Sequence, residues 1–91
     1  TGGNFENTNF ENTNLNIASF KFANLRGANL KNTNLNRAEL IQADLTGADL
    51  TGADLNDAEV NNAEFKDVVG LDKVKNWNKT LGKCYNCPTA K

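Results

Sequence analysis

The 91-residue sequence predicts an all-β solenoid closed at its C-terminal end by a short α-helix, and three patterns carry that reading. Thirteen large apolar residues stand at consecutive multiples of five: Phe5, Phe10, Leu15, Phe20, Leu25, Leu30, Leu35, Leu40, Leu45, Leu50, Leu55, Val60 and Phe65. A small residue, Ala or Thr in all but the first unit, lies two positions before each. A polar residue lies one position before each, Asn or Ser as far as Asn34 and Asp or Glu from Glu39. Beyond Phe65 the rhythm stops and a helical spacing replaces it.

A step of five residues rotates about 140° around an α-helix, which scatters these side chains instead of aligning them. On a flat strand five is an odd number, so successive apolar residues point to opposite faces. The pattern is satisfied when the chain turns by a fixed angle every five residues and sends each apolar residue to a common axis, which is a solenoid.

Ala43-Asp44-Leu45-Thr46-Gly47 and Ala48-Asp49-Leu50-Thr51-Gly52 show the unit in full. It resembles the pentapeptide-repeat family, whose consensus is Ala, Asp or Asn, Leu or Phe, and two freer positions. The resemblance covers residues 3–67. It implies a right-handed quadrilateral β-helix of four pentads per coil, with Leu or Phe on the axis and Ala or Thr beside it. Thirteen units then make about three coils, a body roughly 15 Å tall at the spacing of neighbouring strands. Residues 1–68 are assigned to this β-helix and 69–91 to a capping helix and Cys-containing tail.

In that second segment Leu71, Val74, Trp77 and Leu81 fall within about 120° on a helical wheel, with Lys73, Lys75 and Lys79 pointing away. Asp72 is a plausible N-cap and Gly82 a plausible stop, so a helix is expected over 73–81. Its role would be to lay Val74, Trp77 and Leu81 over the exposed end of the solenoid. The same residues with Lys83 also fit a basic amphipathic helix for an anionic surface, for which the segment is short. No comparable helix precedes the first pentad, so self-association through an uncapped N-terminal coil is a second expectation. The chain lacks Met altogether and starts at Thr1, as a processed form or a fragment would.

Cys84 and Cys87 form a C-x-x-C. A structural zinc site takes four protein ligands and this pair has no His to complete it. A thioredoxin-like site sits at a helix start within a βαβ unit. A local disulfide stapling the tail is the simplest reading and implies an oxidising compartment; pairing with a lost segment or with another chain is the alternative.

Ten basic and eleven acidic residues nearly cancel overall but not along the chain. Residues 1–38 carry net +2, 39–68 net −7 and 69–91 net +4. Glu39, Asp44, Asp49 and Asp54 should ring one coil, one per side. Under the four-pentad coil, Asn16, Asn36 and Asn56 would stack as a polar ladder. Ile17, Phe22 and Ile41 occupy freer outward positions near one corner of the first two coils, a candidate partner-binding patch.

With no His, no nucleophile–base pair, no phosphate loop and no metal constellation, the sequence points to a non-enzymatic protein without a cofactor or small-molecule substrate. No stretch approaches the 20 or so apolar residues that span a bilayer, and the charge balance announces no direct nucleic-acid binding. The repeat, the Asn76-Trp77-Asn78-Lys79 segment and the terminal Cys pair are similar to lumenal pentapeptide-repeat proteins of chloroplasts and cyanobacteria. That resemblance implies the thylakoid lumen, or a cyanobacterial lumen or periplasm, and a structural or protein-interaction scaffold with a so far unidentified protein partner. Two other classes stay open: an acidic DNA mimic that inhibits a type II topoisomerase, as in another branch of the family, and a thiol–disulfide enzyme using the Cys pair.

Overall fold

The computed structural model describes residues 2–88. Parallel bridges join residues twenty apart in four ladders: Asn4–Asn24–Asp44–Glu64, Asn9–Asn29–Asp49–Val69, Asn14–Asn34–Asp54 and Ser19–Glu39–Glu59. Each ladder is one side of a quadrilateral coil, numbered here faces 1 to 4.

Within a pentad the small, polar and axial residues run extended and the next two residues turn the corner. The corner closes when the following amide donates back to the axial carbonyl, as Ala23 does to Phe20 at 3.0 Å and Ala48 to Leu45 at 2.9 Å. Its second residue is left-handed, at φ 71° in Gly47 and 62° in Asn12, which is why Gly and Asn recur there. Coils are sewn by three bonds per unit. The axial N–H donates upward (Leu25 to Asp44 O, 2.8 Å), the corner N–H likewise (Gly27 to Thr46 O, 2.9 Å), and the polar residue's N–H downward (Asp44 to Ala23 O, 3.0 Å).

The axis holds the core. Leu25 through Val60 have no exposed surface, and Ala23 to Ala63 fill the space between them. Thr33 enters this small-residue column because its hydroxyl donates to Leu30 O at 2.8 Å, so its buried oxygen is bonded. The first coil is different: Phe5, Phe10 and Leu15 are half-buried, and Phe5, Phe10 and Phe20 pack edge to face with centroids 5.4–5.8 Å apart.

The expected α-helix over 73–81 does not form. Two single 3-10 turns, Leu71–Lys73 and Trp77–Lys79, are separated by Val74 in extended conformation and by Asn76 at φ 62°. Between and beyond them the chain keeps climbing the ladders through Asp54–Lys75, Glu59–Leu81 and Glu64–Tyr85. The physical reason is the open edge beneath. A nine-residue helix is marginal by itself, whereas the last coil offers Lys75, Leu81 and Tyr85 amide bonds of 2.8 Å to Ala53, Ala58 and Ala63 carbonyls. The 3-10 turns absorb the extra residues at the corners, so the segment adds most of a fourth coil to the three built by pentads.

The helical caps fail with the helix. Gly70, not Asp72, precedes the first turn, without a side-chain cap. Leu81 takes the outward ladder position and is 51% exposed, while Thr80 is buried in the small-residue position with its hydroxyl on Trp77 O at 2.8 Å. Val74 is half-buried against the core, and Trp77 is buried edge-on to Phe65, centroids 5.5 Å apart. Of the three expected capping residues, Val74 and Trp77 cover the core and Leu81 does not.

Candidate functional site

The polar residue that precedes each axial residue has a local structural task on three faces. Its side-chain oxygen accepts the amide two residues on: Asn4 from Glu6 (3.1 Å), Asn29 from Lys31 (3.1 Å), Asn34 from Asn36 (3.0 Å), Asp49 from Thr51 (3.0 Å) and Asp54 from Asn56 (3.1 Å). Such Asx turns satisfy a corner amide that no backbone carbonyl reaches. Face 4 departs from this rule. Its ladder holds Ser19, Glu39, Glu59 and Leu81, and among the described residues none of them makes this bond. The signal is visible in the sequence as Ser or Glu recurring every twenty residues.

The two corners bordering face 4 carry the apolar candidates. Phe22 donates its amide to Ile41 O at 2.9 Å, so these two share a corner on adjacent coils. Ile17 donates to Asn36 O at 2.9 Å and stands at the opposite border of the face, not at the corner expected. Ile17 is 58% and Phe22 56% exposed, and Ile41 is half-buried. Ile17 and Phe22 also sit at φ 66° and 60°, the left-handed corner position that holds Asn, Gly, Arg, Gln or Asp in every other pentad. For a β-branched or aromatic residue that conformation costs on the order of 1 kcal/mol or more.

Glu39, Asp44, Asp49 and Asp54 lie one on each face, and each is turned to a neighbour. Lys21 approaches Glu39 at 3.8 Å and Arg26 binds Asp44 at 2.9 Å, each pair eighteen residues apart. The same diagonal joins Asn29 to Glu11 at 3.1 Å. Asp49 accepts the Thr51 hydroxyl at 2.6 Å, and Asp54 accepts Asn76 Nδ2 at 2.8 Å. Partial burial opposes the charge on Asp44, but the Thr46 hydroxyl and amide and the Arg26 guanidinium outweigh it and hold the carboxyl below its ordinary value. The Thr51 hydroxyl does the same for Asp49 against slight desolvation, and the Asp44 carboxylate raises Arg26. Two residues of the basic first block, Lys21 and Arg26, thus pair across coils with Glu39 and Asp44 of the acidic second block.

Of the Asn ladder, Asn56 Nδ2 donates to Asn36 Oδ1 at 3.2 Å, and the backbone N–H of Asn16 donates to Asn14 Oδ1 at 3.0 Å as those of Asn36 and Asn56 do to Asn34 and Asp54. Cys84 and Cys87 are joined as a disulfide with Cα atoms 6.0 Å apart, packed against the core. Beside it Trp77 Nε1 donates to Pro88 O at 3.3 Å, so indole and tail close the C-terminal end together. Among the described residues no group of three His, Cys, Asp or Glu is placed to hold a metal, and no helix is long and apolar enough to cross a membrane.

A family model described as a pentapeptide repeat region matches residues 1–69. A crystal structure of a pentapeptide-repeat protein from the Arabidopsis thaliana thylakoid lumen is 36% identical, with a TM-score of 0.75 over 78% of this chain and 50% of its own. A Nostoc pentapeptide-repeat protein is 30% identical over 91% of this chain and 73% of its own, TM-score 0.55. The chain spans half the length of the Arabidopsis protein. No curated protein matches it. The family's right-handed quadrilateral β-helix agrees with the four ladders seen here. Repeat, ladders and matches agree, and the chain belongs to the pentapeptide-repeat family.

Proposed function

We propose that this protein is a non-enzymatic interaction scaffold of the thylakoid lumen, or of a cyanobacterial lumen or periplasm, that holds a protein partner against the apolar borders of face 4. The observation that carries it is the placement of Ile17 and Phe22, more than half exposed and left-handed at once. Either residue would be cheaper to the fold as Asn or Gly, so the side chains serve something outside the fold. The lumenal location draws support from the Arabidopsis relative and from the disulfide, which suits an oxidising compartment. Pentapeptide-repeat proteins are in general non-enzymatic scaffolds, which fits a surface rather than a cleft. The pairing of the acidic ring with Lys21, Arg26 and local donors weighs against DNA mimicry, which needs an array of free carboxylates.

The test has two arms. Ile17→Asn with Phe22→Gly should raise the melting temperature of the isolated protein by a few degrees. A photo-crosslinker at position 22 should trap one discrete lumenal protein that a crosslinker at Asn12 does not trap. A lower melting temperature would make the two residues structural, and equal crosslinking from both positions would remove the face from consideration.

A further inference from the structure

The outer surface of the solenoid changes character abruptly between two neighbouring coils. Residues 45–64 carry five carboxylates and no cation. The turn of chain directly above them reverses that balance. The corner amides of Gly47, Gly52, Asp57 and Asn62 donate to the carbonyls of Lys66, Lys73, Lys79 and Lys83 at 2.7–3.2 Å, so a lysine stands at each of the four corners. The outward ladder positions change as well: Val69, Lys75, Leu81 and Tyr85 lie over Asp49, Asp54, Glu59 and Glu64. Val69, Leu81 and Tyr85 are each more than half exposed. All five lysines are exposed, and none is ion-paired to a described residue, whereas Lys21 and Arg26 lower in the stack both are. Between 65 and 88 only Asp67 and Asp72 bring negative charge to this belt.

The fold does not ask for such a belt. One coil lower, Asp49 and Asp54 close Asx turns at the ladder position, and uncharged Thr46, Thr51, Asn56 and Asn61 occupy the corners. We propose that the belt docks the protein on an anionic lipid bilayer, with the solenoid axis along the membrane normal and the C-terminal coil toward the headgroups. Lysines interleaved with exposed apolar and aromatic side chains are the composition of an interfacial surface: the cations meet anionic headgroups and the apolar groups enter the boundary beneath them. The helix that would have gathered these residues on one stripe does not form, and the coil spreads them over all four sides. A linear polyanion touches one or two sides of a belt like this, whereas a plane across the end meets the whole of it.

The acidic coil sets the orientation. A side-on approach would press the carboxylates of residues 45–64 against the same anionic surface, and an end-on approach keeps them one coil back. A lysine stem is longer than the roughly 4.8 Å between coils, so ammonium groups on the belt reach the level of the tail. Trp77 on Phe65 and the indole bond to Pro88 O close the core there, so the contact needs no unpaired strand edge. The belt and the apolar borders of face 4 are separate surfaces, and either contact holds without the other.

Co-sedimentation of the 91-residue chain with lipid vesicles at low salt tests the docking, with circular dichroism melts as the control for folding. Vesicles of phosphatidylglycerol and phosphatidylcholine in equal parts should bind the protein at least about tenfold more tightly than phosphatidylcholine alone, and added salt should release it. Lys73→Gln/Lys75→Gln should weaken that binding about 25-fold, at roughly fivefold per lysine near an anionic surface. Lys31→Gln/Arg37→Gln removes the same charge two coils lower and should weaken it less than about threefold. Val69→Asn/Tyr85→Asn should weaken it at least about threefold and leave the salt dependence in place. None of these positions is buried, and each variant should melt as a folded protein. No binding to the anionic vesicles, equal binding to both vesicle types, or equal loss from the two cation pairs overturns the proposal. Duplex DNA held more tightly than the anionic vesicles also overturns it and assigns the lysines to a nucleic acid.

Discussion

A single side-chain oxygen decides most of the surface chemistry here. Because Asp44 and Asp49 occupy Asx-turn positions that hold Asn at 24 and 29 on the same ladders, Asn should replace either with the turn intact. Asp49→Ala, by contrast, leaves the Thr51 amide and hydroxyl without their acceptor and should lower stability by about 1 kcal/mol, read from denaturant melts. Both carboxyls are held below their ordinary value in the folded state. Their stabilising contribution is therefore complete above the unfolded value of about 4 and disappears as pH falls through the lower folded values, where the unfolded chain binds more protons. The Asp44→Asn/Asp49→Asn protein should then lose less melting temperature than the parent between pH 5 and pH 2. The Asn-to-Asp change along the sequence was legible as charge, but the task of each side chain was not. An amide two residues away is invisible until the corner is built, whereas the Ser19, Glu39 and Glu59 exception has a twenty-residue period that the sequence does display.

At the level of an element, the pentads and the C-terminal segment show why one was legible and the other was not. A period of five has a single structural solution, and thirteen repetitions left the axial and small columns no freedom. Leu71, Val74, Trp77 and Leu81 satisfy a helical wheel equally as they satisfy a coil with loops at its corners, and periodicity cannot arbitrate between them. The arbiter was the open edge below, whose carbonyls at Ala53, Ala58 and Ala63 bond Lys75, Leu81 and Tyr85. Trp77 then becomes the lid on Phe65, so Trp77→Ala should cost about 3–5 kcal/mol and admit a hydrophobic dye at that end. Reduction of Cys84–Cys87 frees only a short loop and should cost no more than about 2 kcal/mol in the chain-entropy model. Melts with and without reductant, checked against Cys84→Ser/Cys87→Ser, separate these two contributions to the cap. A larger effect from the disulfide than from the indole would place the lid in the tail.

Across the whole molecule each coil bonds only to the coil above and the coil below, so stability is a sum of local terms and interfaces and must fall toward an open end. The two ends are unequal. Phe65 is covered by Trp77 and a tail that continues the ladders, whereas Phe5 and Phe10 keep part of their rings in water. Amides of Asn9, Asn14 and Ser19 should therefore exchange with deuterium at nearly unprotected rates, because none of them donates to a described residue. Those of Asn29, Asn34 and Glu39 one coil higher, bonded at 2.9–3.0 Å, should approach the protection of global unfolding. The same gradient applies to side chains. Leu40→Ala empties a fully buried site and should cost about 2–5 kcal/mol, while Leu15→Ala, half-exposed in the first coil, should cost less than half as much. Leu35→Asp would bury an unpaired carboxylate between two coils and should abolish the cooperative transition altogether. Equal protection in coils 1 and 2 would mean that the first coil is not the weak end. The core would then be a single cooperative block instead of a stack of coils with one face left open.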